Sequence, residues 1–326
     1  MKKYSVLLLI ASFLFGCNRI VEIEIPPFKS EPSGSVLSSK IISSEPGKYI
    51  VEVDLHIVDD RSQFIRNLED EDFSIIPSGN YSGFKFNVSK LERGLKTDYK
   101  GSYDAMFLLD QSGSIVSTDP FDSRITAANT FLDNLGKNDK VGLSAFSDYG
   151  PTIYHNTGAD PEKIRQTLEF LGDDEGGGTP LYLSTYNLTT ELYKMSNSTN
   201  KALIVFTDGA DTNGGITPDQ IIALAKEKNI QIYTVGLGST LSNLDILSKI
   251  ANETGGYFMW AEDAEQLLSY FGTLGNLLQG GASYYKLRFE INTPSPITTK
   301  RTYILYFDVK LSPVKSIKIP IAVTLP

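Results

Sequence analysis

The sequence predicts an α/β fold, a mostly parallel sheet with helices on both faces, inserted in a β-sandwich formed by the flanking segments. Three observations predict it. Between Tyr103 and Leu278, short apolar runs alternate with amphipathic helical patterns, as in a parallel sheet covered on both sides. On either side of that region the pattern becomes a strict apolar–polar alternation, the mark of half-buried strands. Each flank supplies only about three such strands, too few to be stable alone, so the economical arrangement joins them in one sandwich.

The chain begins with Lys2 and Lys3, then an apolar stretch from Val6 to Phe15 that is too short to span a bilayer as a mature helix. Leu14-Phe15-Gly16-Cys17 follows and resembles a bacterial lipobox, although Phe15 departs from the small or branched residue usual there. Residues 1–17 are therefore read as a lipoprotein signal peptide with Cys17 as the lipidated residue. Cys17 is the single cysteine, which leaves no internal disulfide. Several acyl chains on one residue give stable anchoring where one does not. Asn18 is not the aspartate that retains many lipoproteins at an inner membrane, so the expected location is the cell envelope, with the outer membrane favoured. Residues 18–46 are rich in Ser, Pro and Glu and read as a flexible linker.

Residues 47–98 are read as the first part of the sandwich. Tyr49, Val51, Val53, Leu55 and Ile57 alternate with Glu52, Asp54 and His56, which places His56 on a wet face. Phe73–Ile76 and Phe84, Phe86, Val88 give two further strands. Glu69–Asp72 is a run of carboxylates without the ordered spacing of a calcium loop, and reads as a solvated turn.

Residues 99–280 form the α/β insert. Its strands are Ala105–Leu109, Val141–Phe146, Ala202–Phe206, Ile230–Val235 and Tyr257–Trp260, with Ile153–His155 as an edge strand. Ile125, Ala128, Leu132 and Leu135 recur at helical spacing, opened by Asp119-Pro120 or Asp122. Thr179-Pro180 opens another helix. Thr217-Pro218-Asp219-Gln220 is a capping box, with Ile216 and Ile221 as its hydrophobic staple. Leu241–Ile250 and Ala264–Leu278 supply the last two helices. Residues 281–326 return to alternation, in Tyr285–Ile291, Tyr303–Val309 and Ile317–Val323, and are read as the second part of the sandwich.

Asp110-Gln111-Ser112-Gly113-Ser114 follows directly on the strand Ala105–Leu109. Burying a carboxylate and two hydroxyls at a strand end is costly unless something binds there. The reading is a divalent cation, with Thr179 and Asp208 completing its shell. Asp110 and Asp208 offer two negative charges; Ser112, Ser114 and Thr179 offer neutral hydroxyls. Magnesium takes about six oxygens in near-octahedral geometry. Neutral ligands leave it electrophilic enough to bind one more carboxylate from outside.

Asp110-Gln111-Ser112-Gly113-Ser114, Gly177-Gly178-Thr179-Pro180 and Phe206-Thr207-Asp208-Gly209 resemble the three loops of a von Willebrand factor type A (VWA) domain. Together they resemble its metal ion-dependent adhesion site (MIDAS), and the element order agrees from Tyr99 to Gly280. The resemblance implies a Rossmann-like fold and a Mg2+ or Mn2+ ion held by Asp110, Ser112, Ser114, Thr179 and Asp208, some through water. It also implies a protein ligand whose Asp or Glu carboxylate completes the shell. The flanking sandwich is similar to that of integrin β chains. Ser117 and Thr118 stand where the carboxylates of integrin-like extra cation sites are expected, so no second site is implied.

Other functions find little support in the residues. The formal net charge is −9, with no basic stripe to track phosphates, which argues against nucleic acid. No Gly-Lys-Ser/Thr follows Gly176-Gly177-Gly178, so no nucleotide is expected. The two histidines, His56 and His155, lie in no metal-protease motif, and no Gly-x-Ser-x-Gly is present. The expected function is metal-dependent protein binding, in adhesion or in an envelope interaction, and not catalysis. The alternatives are a structural envelope lipoprotein whose cation only rigidifies the fold, or a metal-dependent hydrolase.

Overall fold

The computed structural model describes residues 31–172, 174–238, 244–261 and 264–326. The signal peptide, Cys17, residues 18–30 and the first three residues of the helix expected from Leu241 lie outside the described residues. The chain forms β1 (Ser33–Glu45), β2 (Lys48–Val58), β3 (Phe73–Pro77) and β4 (Lys85–Lys96). Then come β5 (Asp104–Asp110), α1 (Ile115–Thr118), α2 (Ser123–Asp133), β6 (Lys140–Ser147), β7 (Gly150–His155), α3 (Pro161–Leu171) and α4 (Leu181–Met195). They are followed by β8 (Lys201–Thr207), α5 (Pro218–Lys228), β9 (Ile230–Leu237), α6 (Leu244–Thr254), β10 (Phe258–Ala261) and α7 (Ala264–Gln279). Last are β11 (Ser283–Asn292), β12 (Arg301–Ser312) and β13 (Lys315–Leu325).

One sheet runs β4-β11-β2-β1-β10-β9-β8-β5-β6-β7. Within it β10, β9, β8, β5 and β6 are parallel, and β7 is an antiparallel edge. Every residue of β5 is buried, and its side chains alternate between two cores. Ala105, Phe107 and Leu109 pack with residues of α2, α3 and α7. Met106 and Leu108 pack with α4, α5 and α6. A strand covered on both faces has no room for polar side chains, which explains the unbroken apolar run up to Asp110. The capping box is present: Gln220 N–H donates to Thr217 Oγ1 at 3.3 Å, and Thr217 N–H donates to Gln220 Oε1 at 2.9 Å.

The flanks form the expected sandwich. The inner faces of β2 and β11 meet those of β12 and β13 in one core, with Val53, Leu55, Leu287, Phe289, Leu305 and Phe307 at 0% exposure. The second sheet is β13-β12-β3. The insert is not hung from the sandwich by linkers alone. β1 pairs with β2 along its length and with β10 at Val36–Phe258, so the larger sandwich sheet continues into the parallel sheet.

Two expectations are corrected. The segment from Ser33 to Glu45, read as part of a flexible linker, is strand β1. Its Ser and Gly residues serve close packing: Ser33 Oγ lies 2.6 Å from Ser269 Oγ of α7. A Cβ on Gly34 would stand 2.2 Å from Ile319 Cδ1. Small residues that let a strand be covered on both faces look, in composition, like a tether. His56 is the second correction. It is 7% exposed rather than wet, its Nδ1 lies 2.7 Å from the Ser283 carbonyl, and its ring stacks on Phe64 at 5.7 Å. On the same face of β2, Lys40, Lys286 and Arg288 pair with the Glu52 carboxylate. The carboxylate run at Glu69–Asp72 is an exposed turn of 3₁₀ helix over Asp70–Asp72.

Candidate metal centre

The predicted residues gather at the carboxyl ends of β5 and β8. These strands are neighbours, with Leu109 opposite Phe206. The chain leaves β5 for β6 on one side and returns to β8 on the other. At such a reversal the following loops diverge and leave a crevice at the strand ends.

Asp110 is the last residue of β5 and is wholly buried. Its Oδ1 accepts from the Ser112 N–H at 2.9 Å and its Oδ2 from Thr207 Oγ1 at 2.7 Å. From there the polar atoms form a chain. Ser112 Oγ lies 3.2 Å from Ser114 Oγ, and Ser114 Oγ donates to Asp208 Oδ1 at 2.9 Å. Thr118 Oγ1 donates to the other oxygen of Asp208. Burial pushes the Asp110 carboxyl up to about 6, and the Asp208 charge adds to the rise; the hydrogen bonds from Ser112 and Thr207 oppose it.

Thr179 is 6% exposed and makes no direct hydrogen bond to these four among the described residues. Its loop is stitched to theirs instead. Gly113 N–H donates to the Gly177 carbonyl at 3.1 Å, and Gly176 N–H to the Gln111 carbonyl at 2.9 Å. From the third loop, Thr212 Oγ1 accepts from Thr179 N–H at 2.9 Å, while Thr212 N–H donates to the Thr179 carbonyl at 2.9 Å. Thr179 does not cap α4: the cap position is Pro180, without a side-chain bond. Asp211 takes that role from outside, its Oδ1 accepting from Tyr182 N–H at 2.9 Å. The Thr179 hydroxyl is thereby left out of the helix start.

Several residues that the sequence reading passed over hold this arrangement. Thr207 and Thr118 orient the two carboxylates. Asp148 is exposed yet accepts from Gly178 N–H at 2.7 Å. Asn213 Nδ2 donates to the Asp148 carbonyl at 3.0 Å. For Thr118, Thr207 and Asn213 the signal was position, since each is within a few residues of a predicted ligand; Asp148, in the turn after β6, is far along the chain from all five. Cys17 lies outside the described residues.

The donor set fits a hard divalent cation. Two carboxylates and three hydroxyls are all oxygen, as such an ion prefers. Neither Asp110 nor Asp208 has a cationic partner among the described residues, and a buried carboxylate without one is costly. Among the described residues no group of three or more His, Cys, Asp or Glu side chains is placed to hold a metal. A site here depends on hydroxyl oxygens.

The family model for the von Willebrand factor type A domain matches residues 104–273. An uncharacterized protein of Borreliella burgdorferi is 28% identical over 149 residues, covering 39% of this chain and 43% of that protein. Integrin alpha-X of Mus musculus is 29% identical over 151 residues, covering 44% of this chain and 13% of the integrin. The chain thus spans less than half the length of either relative. Among solved structures, a von Willebrand factor type A protein from Catenulispora acidiphila aligns over 90% of this chain and 74% of its own, at 14% identity and TM-score 0.47. Proximal thread matrix protein 1 of the mussel byssus, with a zinc-occupied MIDAS motif, aligns over 56% of this chain and 49% of its own, at 17% identity and TM-score 0.46. Domains of this type are generally devoted to metal-dependent adhesion or protein binding, and are usually not enzymes. The matched segment runs from the first residue of β5 into α7 and takes in the three loops that carry Asp110, Thr179 and Asp208: this chain belongs to the von Willebrand factor type A domain family.

Proposed function

We propose that this chain is a lipid-anchored envelope protein that binds a partner protein through a Mg2+ or Mn2+ ion. Asp110, Ser112, Ser114, Thr179 and Asp208 would hold the ion, and a partner Asp or Glu would complete its shell. The observation that carries this reading is the buried Asp110 carboxylate, with no cationic partner among the described residues, joined through Ser112 and Ser114 to a second carboxylate. A bound cation supplies the missing charge and a coordination position for an outside oxygen. Such binding needs no general base at Ser112. His56 lies against Ser283 and His155 against Thr167, which supports binding rather than hydrolysis.

Lipidation at Cys17 and an outer-membrane position belong to the same proposal, resting on the N-terminal sequence. Labelling of cells with a radioactive fatty acid tests the anchor, with Cys17→Ala expected to abolish incorporation. A synthetic peptide carrying one Glu, immobilised, tests the site. It should retain the protein in Mg2+ but not in chelator, and the Glu→Gln peptide should retain none. Retention that ignores the metal would overturn the reading.

A further inference from the structure

Arg124 ranks first by volume among the fully buried side chains, and it contacts none of the proposed metal ligands. Its guanidinium uses every arm of its fork. Nε and Nη2 donate to Gln111 Oε1 at 3.1 and 2.9 Å. Nη1 donates to Asp119 Oδ2 at 3.1 Å and to Asp122 Oδ1 at 2.9 Å. Nη2 also donates to the Glu175 carboxylate and, at 3.4 Å, to the Leu171 carbonyl. Gln111 joins the same group, its Nε2 donating to Leu171 O at 2.5 Å and to Asp174 O at 3.3 Å. Removing a guanidinium from water is costly, and such partners offset the cost.

The partners come from two sides. Gln111, Asp119 and Asp122 belong to the first loop and the turn into α2. Leu171, Asp174 and Glu175 belong to the segment that leads to Thr179. Between Glu175 and Thr179 stand Gly176, Gly177 and Gly178, with Gly177 at φ +82. Glycines hold a conformation poorly by themselves. The direction of the chain into Thr179 therefore depends on what fixes Glu175. The backbone bonds from Gly176 to Gln111 and from Gly113 to Gly177 run beside this ion pair and close the same gap.

We propose that the Arg124–Glu175 ion pair is a latch that presses the glycine segment onto the first loop and so sets Thr179 for the cation. Arg124 and Glu175 are then positioning residues of the metal centre. This rests on the metal-binding reading above. Asp122 supplies the control. It binds the same guanidinium at 2.9 Å, but from the α2 side, and losing it leaves the latch in place.

The test is Mn2+ binding by the full chain, followed by electron paramagnetic resonance, with thermal stability in chelator measured alongside. Glu175→Ala should weaken Mn2+ binding about tenfold or more, as removing a partner that orients a ligand does. Glu175→Gln keeps an acceptor oxygen and should recover part of the loss. Asp122→Asn should stay within about twofold of wild type in the same scale of effects. Wild-type binding with Glu175→Ala unchanged would overturn the latch alone. Equal weakening by Asp122→Asn would overturn it too, since general loosening of the cluster would then explain both. A wild-type chain that took up no Mn2+ would overturn the metal reading itself.

Discussion

Thr207 Oγ1 donates a 2.7 Å hydrogen bond to Asp110 Oδ2, between two side chains that are both fully buried. The bond ties the end of β8 to the end of β5 and fixes one oxygen of the carboxylate, while the Ser112 N–H fixes the other. Thr207→Val has nearly the same shape but leaves a buried oxygen without a donor. The expected cost is about 1–3 kcal/mol, read from urea unfolding in chelator. Mn2+ binding should weaken as well. Unchanged stability would show that the carboxylate is not held as described.

Thr212 grips Thr179 through both backbone groups, yet it is exposed. An ordinary exposed substitution stays within about 0.5 kcal/mol. Thr212→Val removes the acceptor for Thr179 N–H. Leaving that part-buried N–H without an acceptor takes the change beyond that range, to about 1–3 kcal/mol for unfolding in chelator, and should weaken Mn2+ binding about tenfold. Calorimetric titration checks this. A variant that binds as tightly as wild type would mean that the third loop does not set Thr179.

The tight passage of β1 beneath the smaller sheet predicts a cost for any side chain at residue 34. A Cβ there would stand 2.2 Å from Ile319 Cδ1 and 2.7 Å from Ile319 Cγ1. Gly34→Val should lower stability by about 1–3 kcal/mol through overpacking, while Ser43→Val, in the half of β1 away from this contact, should cost less. Equal effects would argue against a buried β1.

His56 predicts a pH dependence. Burial lowers its pKa below the usual 6.5, and the Ser283 carbonyl opposes that only in part. The folded chain thus takes up this proton at lower pH than the unfolded chain does. Unfolding binds protons as pH falls through 6.5, and stability declines there; well above that value both forms are neutral and His56 adds no slope. His56→Asn, which keeps a donor near the Nδ1 position, should flatten the stability profile between about pH 7 and 5. An unaltered slope would assign the titration to another group.

Much of this was legible in the sequence, for identifiable reasons. The run Ala105–Leu109 admits no polar residue because both its faces are covered, and that alone marked a central parallel strand. Thr217 and Gln220 announced a helix start that depends only on local bonds. The three loops of the candidate site were legible because Asp110, Thr179 and Asp208 each follow or precede a clear element. What escaped depends on distant contacts. Ser33, Gly34 and Ser35 read as linker because the partners that bury them, such as Ser269 and Ile319, lie far along the chain. His56 read as wet because alternation tells which residues share a face but not what roofs it. The α3 helix escaped notice even though Asp160 and Pro161 carry a start signal, with Glu162 N–H donating to Asp160 Oδ1 at 3.0 Å. The partnership of Arg124 with Glu175 spans 51 residues, and no local pattern encodes it.

The most direct measurement is thermal stability of the full chain against Mg2+ and Mn2+ concentration, with Thr179→Ala and Asp208→Ala beside the wild type. An ion that binds only the folded chain stabilises it by about 2.7 kcal/mol at a hundredfold excess over its dissociation constant. The wild-type melting temperature should climb with either ion and fall back in chelator, and both variants should stay flat. A wild type indifferent to both ions, or variants that climb with it, would contradict a cation held between these loops.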